Sequence, residues 1–272
     1  MKKILFKKIV AKAPQKLYDF LILPFDNLKS WLFKIKKNKI NELTTLNIIT
    51  GANSSHYRSA IQLLSSISKF ESIKYTYFYD LGLTSEERNN LQYLFPDLNI
   101  RLFNYEKYPS FFKIDINQGE YAWKPTILKE ISKELNSQFV WMDAGNLLKE
   151  PLFKMRYILN KYGFYSPKSP GLVIEWTHPT SISSILHHSK NLYKSNLTGG
   201  AVAFDTRNEK AMALLSEWSE LALQKEMFAP TGSNKKNHRQ DQAILTLLAY
   251  NHKILKGVPH RLLGFSIHND ID

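Results

Sequence analysis

The sequence predicts an α/β protein: a mostly parallel sheet flanked by helices, preceded by a basic helical arm. Three observations predict it. Through residues 46–150, short apolar runs alternate with segments of helical periodicity, the pattern that builds a parallel sheet with right-handed crossovers. One run, Phe139-Val-Trp-Met142, is apolar at every position, as a strand covered on both faces must be. Positive charge, finally, is concentrated at one end of the chain.

The elements follow in order. Leu46-Asn-Ile-Ile-Thr50 reads as a first strand and Gly51–Ser55 as its turn, with a helix over 56–69 that places Ala60, Ile61, Leu64 and Ile67 at helical spacing. Residues 74–79 are a second strand ending on Asp80. Thr84-Ser-Glu-Glu87 opens a helix with a capping-box pattern. Residues 99–103 form a third strand and 122–135 a helix whose Pro125 is tolerated only in its first turn. The Phe139 strand then ends on Asp143. Beyond it, 162–165, 172–176 and 200–204 read as strands and 208–225 and 240–251 as helices. Residues 230–237 form a mobile, cationic loop. The expected division is an arm over 1–45 and one domain over 46–272, with a nucleotide-binding half at 46–150 and a less regular half at 151–272.

Composition narrows the classes. With no cysteine, disulfides, thiolate chemistry and cysteine-bound zinc are excluded, and a reducing cytoplasm fits. A formal charge of +13 points to an anionic partner. Residues 1–45 hold eleven lysines against Asp19, Asp26 and Glu42, hence 11 − 3 = +8, leaving 13 − 8 = +5 for the rest. The apolar stretch at 17–33 is broken by Asp19, Pro24, Asp26 and Lys29 and cannot span a bilayer unaided. Lysines mixed with Phe20, Trp31 and Phe33 instead suit an anionic membrane surface, or else a solvated arm packed on the domain. The lysines lie away from the aromatic strands and no nucleic-acid motif is present, so nucleic acid is not the expected partner.

Several segments carry chemistry. Asp143 follows a buried strand, where open α/β sheets place their ligand sites; the plainer reading of Asp143-Ala-Gly-Asn146 is a turn. Lys124 precedes a proline at a helix start, where backbone N–H groups and the helix dipole favour phosphate. On a helix starting near His238, positions 241, 244, 245 and 248 share a face, so Asp241 points inward, either to accept a hydroxyl hydrogen bond or to cap the helix. Gly199 and Gly200 before a strand permit close backbone approach or mark a bulge. Trp176, Thr177 and His178 suit acceptor recognition or a buried aromatic anchor.

Taken in order, these segments resemble the GT-A-fold glycosyltransferases, in particular the retaining galactosyl- and glucosyltransferases that extend bacterial lipooligosaccharide. Ile48-Ile-Thr-Gly-Ala-Asn53 with Tyr57 is similar to the family's strand-Ala-Asp-x-x-Tyr segment, which implies that Thr50, Ala52, Asn53 and Tyr57 hold the nucleotide. Tyr121-Ala-Trp-Lys124 resembles Tyr-x-Arg, whose cation contacts the donor. Val140-Trp-Met-Asp143-Ala144-Gly145 resembles the strand carrying Asp-x-Asp, with Gly145 in place of the second acid. Leu197-Thr-Gly-Gly-Ala-Val-Ala-Phe204 resembles Asn-Ala-Gly-Val-Leu-Leu, and Arg239-Gln-Asp-Gln-Ala-Ile-Leu245 resembles Asp-Gln-Asp-Ile-Leu. The resemblance covers residues 46–250. Uncharacterised families with a Trp-Lys-Pro, Trp-Met-Asp and His-Arg-x-Asp-Gln pattern look closer still.

The resemblance implies a GT-A-like (Rossmann-like) sheet and transfer of a hexose from a nucleotide sugar, a UDP-sugar first among them, to a glycan or lipid-linked acceptor in bacterial surface polysaccharide synthesis. Asp241 and Gln242 would be the catalytic pair, Gln242 near the reacting face of a sugar transferred with retention. Lys124, Asp143, Ala144, Gly145, Gly199, Gly200 and Arg239 would contact the donor. A divalent cation, Mn²⁺ or Mg²⁺, would sit on Asp143 and His268, with His260 the other candidate and a disordered tail the plain alternative for His268. Lys124, Arg239 and the loop lysines could instead neutralise the diphosphate without metal. The enzyme would work on the cytoplasmic face of the membrane. Gly145 also motivates a second reading, a catalytically inactive module that binds carbohydrate or nucleotide.

Overall fold

The computed structural model describes residues 45–272. The arm read at 1–45, but for Thr45, lies outside the described residues. The central sheet has six strands in the order β3-β2-β1-β4-β9-β6. Strands β1 (Leu46–Ala52), β2 (Thr76–Asp80), β3 (Asn99–Leu102) and β4 (Gln138–Met142) run parallel, whereas β9 (Ala201–Asp205) and β6 (Phe164–Tyr165) extend the sheet antiparallel. The sheet is therefore mixed and mostly parallel, flanked by helices.

Alternation along the strands divides the core into two layers. Ile49, Phe139, Trp141, Val202 and Phe204 face α3 (Trp123–Ser132), α7 (Glu209–Ala222) and α9 (Gln240–Asn251). Ile48, Phe78, Val140, Met142 and Ala203 face α1 (Tyr57–Phe70), α2 (Ser85–Leu94) and α4 (Phe153–Tyr162). Local chemistry sets the helix starts. Thr84 accepts from the Glu87 N–H while the Glu87 carboxylate accepts from the Thr84 N–H, closing the expected capping box. Asn208 caps α7 by accepting from the Ala211 N–H.

The second half departs from the sequence expectation. The strand expected over 172–176 is instead β7 (Lys168–Leu172) followed by a helical turn, α5 (Val173–Trp176). The turn begins where Glu175 reaches back to accept from the Leu172 N–H, a local bond that an apolar-run reading ignores. β7 pairs with β8 (Ser195–Leu197) apart from the main sheet, and α6 (Pro179–Ile185) follows α5. The helix expected over 208–225 ends at Ala222, and a short α8 (Lys225–Phe228) continues. α9 is not amphipathic: Gln240, Asp241 and Ala243 to Ala249 are all buried, because it runs between α7, α6 and β8. Last, β10 (Phe265–Ser266) pairs with β5 (Leu147–Leu148) and carries the C-terminal tail back beside the end of β4.

This topology fixes where a ligand can sit. From β1 the crossovers lead outward to β2 and β3 on one side, while β4 lies on the other. The strand order thus reverses between β1 and β4, the switch point at whose carboxyl ends open sheets form a crevice.

Candidate active site

At that point lies a cleft of about 330 Å³. Its floor is built by β4 and the β8–β9 connection. Asp143 leaves the end of β4, and its N–H donates to the Gly200 carbonyl at 2.9 Å. Asn146 closes the turn by donating its N–H to the Asp143 carbonyl at 2.9 Å and its side-chain amide to Gly200 at 2.7 Å. Two residues apart on one strand, Trp141 and Asp143 share a face, and the indole N–H donates to Asp143 Oδ1 at 2.5 Å.

Lys124, in the first turn of α3, is the centre of the arrangement. Its side chain is 2 % exposed and its ammonium has three partners: Asp241 Oδ2 at 2.8 Å, Asp143 Oδ1 at 3.1 Å and the Gly199 carbonyl at 3.1 Å. Three donors meet three acceptors. The rings of Tyr121, Trp141 and Trp123 surround the charge with centroids at 5.6, 5.6 and 5.8 Å. Burial works to depress the Lys124 pKa, but Asp143 and Asp241 together outweigh it and hold the ammonium above its ordinary value. Asp241, second residue of α9, is itself buried, and its backbone carbonyl accepts from the Trp218 indole at 3.1 Å. A side chain at 199 would press on the cluster: a Cβ there would lie 2.6 Å from Asp241 Oδ2.

One wall is a backbone rarity. Asn117, Gln118, Gly119, Glu120 and Tyr121 all have φ between +48° and +63°, a left-handed turn made mostly of L-residues that ordinarily avoid it. Gln118 and Tyr121 line the cleft. Glu120 is buried, and its carboxylate accepts from the Gln240 amide at 3.0 Å, which ties the turn to the start of α9. The opposite rim holds Arg239, stacked on the Trp176 ring at 4.1 Å, and Lys235 from the loop before α9. That loop is anchored by buried His238, whose Nδ1 accepts from the His178 N–H while its Nε2 donates to the Phe228 carbonyl. Burial pushes the His238 pKa down to about 4.

Of the residues singled out in the sequence, the fold brings Ala52, Asn53, Lys124, Asp143, Ala144, Gly145, Gly199, Gly200, Arg239, Asp241, Gln242 and His268 onto this one cleft. Others stand elsewhere. Thr50 is enclosed within β1, the Tyr57 hydroxyl accepts from Asn90 of α2 at 2.6 Å, and His260 is buried with Nδ1 at the Ser166 carbonyl. Trp176 supports Arg239 from behind, and Thr177 is buried. Lys235, one of the loop lysines read as a possible neutraliser of the diphosphate, lines the cleft too, whereas His56, Gln118 and Asp270, which sequence reasoning passed over, also line it. Asp270 carries no periodicity or motif, and only the β10–β5 pairing brings it there.

Mn²⁺ and Mg²⁺ take oxygen ligands, and the donors on this cleft suit them: two carboxylates, Asp143 and Asp270, with the His268 and His56 imidazoles on the same rim. Among the described residues, no three His, Asp or Glu side chains converge on one point as they stand. An ion here would be held by one or two carboxylates and completed by phosphate oxygens and water.

Residues 15–129 match the family described as a protein of unknown function, DUF1647. No curated protein matches the sequence. Among solved structures the chain is similar to glycosyltransferases. LgtC, a galactosyltransferase in complex with donor and acceptor sugar analogs, aligns at 13% identity over 82% of this chain and 86% of that one, with a TM-score of 0.49. Mouse xyloside xylosyltransferase 1 aligns at 9% identity over 77% and 83%, with a TM-score of 0.47. The bifunctional glycosyltransferase WbbM aligns at 11% identity over 78% of this chain but 39% of its own length, with a TM-score of 0.46.

Proposed function

We propose that this protein transfers a hexose from a nucleotide sugar, a UDP-sugar in the first instance, to a glycan or lipid-linked acceptor. The observation that carries this reading is the buried Lys124 ammonium joining Asp143 and Asp241 on the floor of the switch-point cleft. Glycosyl transfer needs the sugar held, the leaving diphosphate stabilised and an acceptor hydroxyl brought to the anomeric carbon. Lys124 fixes the carboxylates that face the cleft, and Asp241 is placed to accept a hydrogen bond from a sugar hydroxyl. Gln242, next to it on the same cleft, would face the reacting side of a sugar transferred with retention. Arg239 and Lys235 offer positive charge to the diphosphate, and Ala52 and Asn53 sit where the nucleotide would pass at the end of β1. A bound divalent cation would offset the charge developing on the diphosphate leaving group.

Incubation with a panel of UDP-, GDP- and CMP-sugars and Mn²⁺ tests the proposal. Release of nucleotide, faster with an acceptor extract than with water, is the expected result; no binding, hydrolysis or transfer across the panel would refute it. Proton NMR of the first-formed product should give the donor's own anomeric configuration. Gly145 keeps one other reading open, a binding module without turnover, which calorimetric donor binding with no product from any acceptor would favour. Synthesis of bacterial surface polysaccharide on the cytoplasmic face of the membrane is the setting this reading fits.

A further inference from the structure

We propose that Asp270, carried over Gly145 by the C-terminal tail, supplies the second carboxylate of a divalent-cation site whose first is Asp143. This rests on the glycosyl-transfer reading above. Position 145 holds glycine, and the space its side chain would enter is already taken. A Cβ built on Gly145 would lie 2.4 Å from each Asp270 carboxylate oxygen. The acid absent from the chain after β4 is therefore present in space, delivered from 125 residues downstream (270 − 145).

The tail is held in place on both sides of Asp270. Before it, β10 pairs with β5, and the Asn269 N–H donates to the Gly145 carbonyl at 2.7 Å. The Asn269 carbonyl in turn accepts from Gln62 of α1 at 2.8 Å. After it, the Ile271 N–H donates to Ser59 Oγ at 2.9 Å, and the Asp272 carboxylate accepts from the Arg58 and Ser59 N–H groups of the first turn of α1. Asp270 thus projects from a strap pinned at both ends, not from a loose terminus.

Charge asks for a cation at this place. Lys124 serves Asp143 and Asp241 together, one positive charge for two negative ones. Asp270 adds a third carboxylate, with His56 Nδ1 at 3.9 Å from it. Lys235 and Arg239 bring the cleft's charges into balance in number, but Lys124 is committed to Asp143 and Asp241. A hard dication on Asp143 and Asp270 would add the positive charge an entering diphosphate needs while offering open positions to phosphate oxygens.

The experiment is Mn²⁺ titration of the full chain with UDP present, followed by loss of the free-ion electron paramagnetic resonance signal. Binding of UDP itself is read separately, by saturation-transfer NMR with excess diamagnetic Mg²⁺ in place of Mn²⁺. Asp270→Asn keeps the shape of the tail and should weaken Mn²⁺ binding by about tenfold or more. Gly145→Asp alone crowds the tail, whereas Gly145→Asp combined with Asp270→Gly moves the acid back onto the chain after β4 and should recover binding. Mn²⁺ held as tightly by Asp270→Asn as by the parent, or not held by the parent at all, overturns the inference. Should UDP bind while Mn²⁺ affinity ignores Asp270, only this inference falls; should UDP fail to bind, the proposed function falls with it.

Discussion

Lys124 shows how a single side chain can be costly alone and stabilising in company. A buried ammonium is penalised by desolvation, and so is each carboxylate brought in with it; the cluster survives because every donor and acceptor is matched. Lys124→Met should therefore destabilise the protein by about 3 kcal/mol, chiefly through Asp241, since Asp143 is 44 % exposed and water screens it. Urea denaturation of Lys124→Met, Asp241→Asn and the double variant checks this. The double variant should lose less than the two single losses added together, because removing both partners leaves no uncompensated charge in the buried half of the cluster, Asp143 remaining half-exposed to water. Lys124→Arg should not rescue, since a planar guanidinium cannot point donors at three acceptors arranged around a compact ammonium.

Among the elements, those that follow from side-chain periodicity were legible and those that follow from long-range docking were not. The strands at Leu46, Thr76, Asn99 and Gln138 and helices α1 to α3 are local: apolar runs, a capping box and a proline in a first turn specify them. The antiparallel entry of β9 beside β4 depends on partners 59 to 67 residues apart (201 − 142 to 205 − 138), which no short window of sequence contains. The cleft was legible for the related reason that its residues stand at strand ends and helix starts. The tail and the left-handed turn, lacking periodic pattern, were not. That turn makes two sharp expectations. Gly119→Ala would force a Cβ to 2.2 Å from the Phe112 carbonyl at φ +63°, and should cost about 2 kcal/mol or more. Gln118→Gly should instead be neutral or stabilising by up to about 1 kcal/mol, the left-handed penalty relieved exceeding the added chain entropy. Thermal melts of both variants decide it. The His238 loop anchor gives a pH signature. The unfolded chain takes up its proton near pH 6.5 but the folded one not until about 4, so acid favours unfolding between these values. Stability should fall by up to about 3 kcal/mol as pH drops through that window, and His238→Asn should flatten the dependence.

For the whole molecule, charge is divided unevenly along the sequence, +8 of the +13 falling within residues 1–45. Among the described residues no helix is long and apolar enough to cross a membrane. The eleven lysines of residues 1–45 suit an anionic surface, at about 1 kcal/mol for each lysine near it. Removing residues 1–45 should release the protein from anionic liposomes while leaving transfer to a soluble acceptor nearly unchanged. Equal sedimentation of full and shortened chains with such liposomes would make the arm structural instead.

The Lys124 cluster also has a kinetic side. Its partners are far apart along the chain: Gly199 is 75 residues from Lys124, and Asp241 is 117. During synthesis β1 to β4 emerge well before α9, so the ammonium must wait in water until its second carboxylate arrives. Closure of such long loops is slow, and the cleft floor therefore belongs to the last steps of assembly rather than the first. A chain stopped before Gln240 should keep the parallel strands protected from hydrogen exchange yet leave α3 open at its first turn. In the complete protein, opening of α9 should be the event that exposes α3, so the two helices should exchange together.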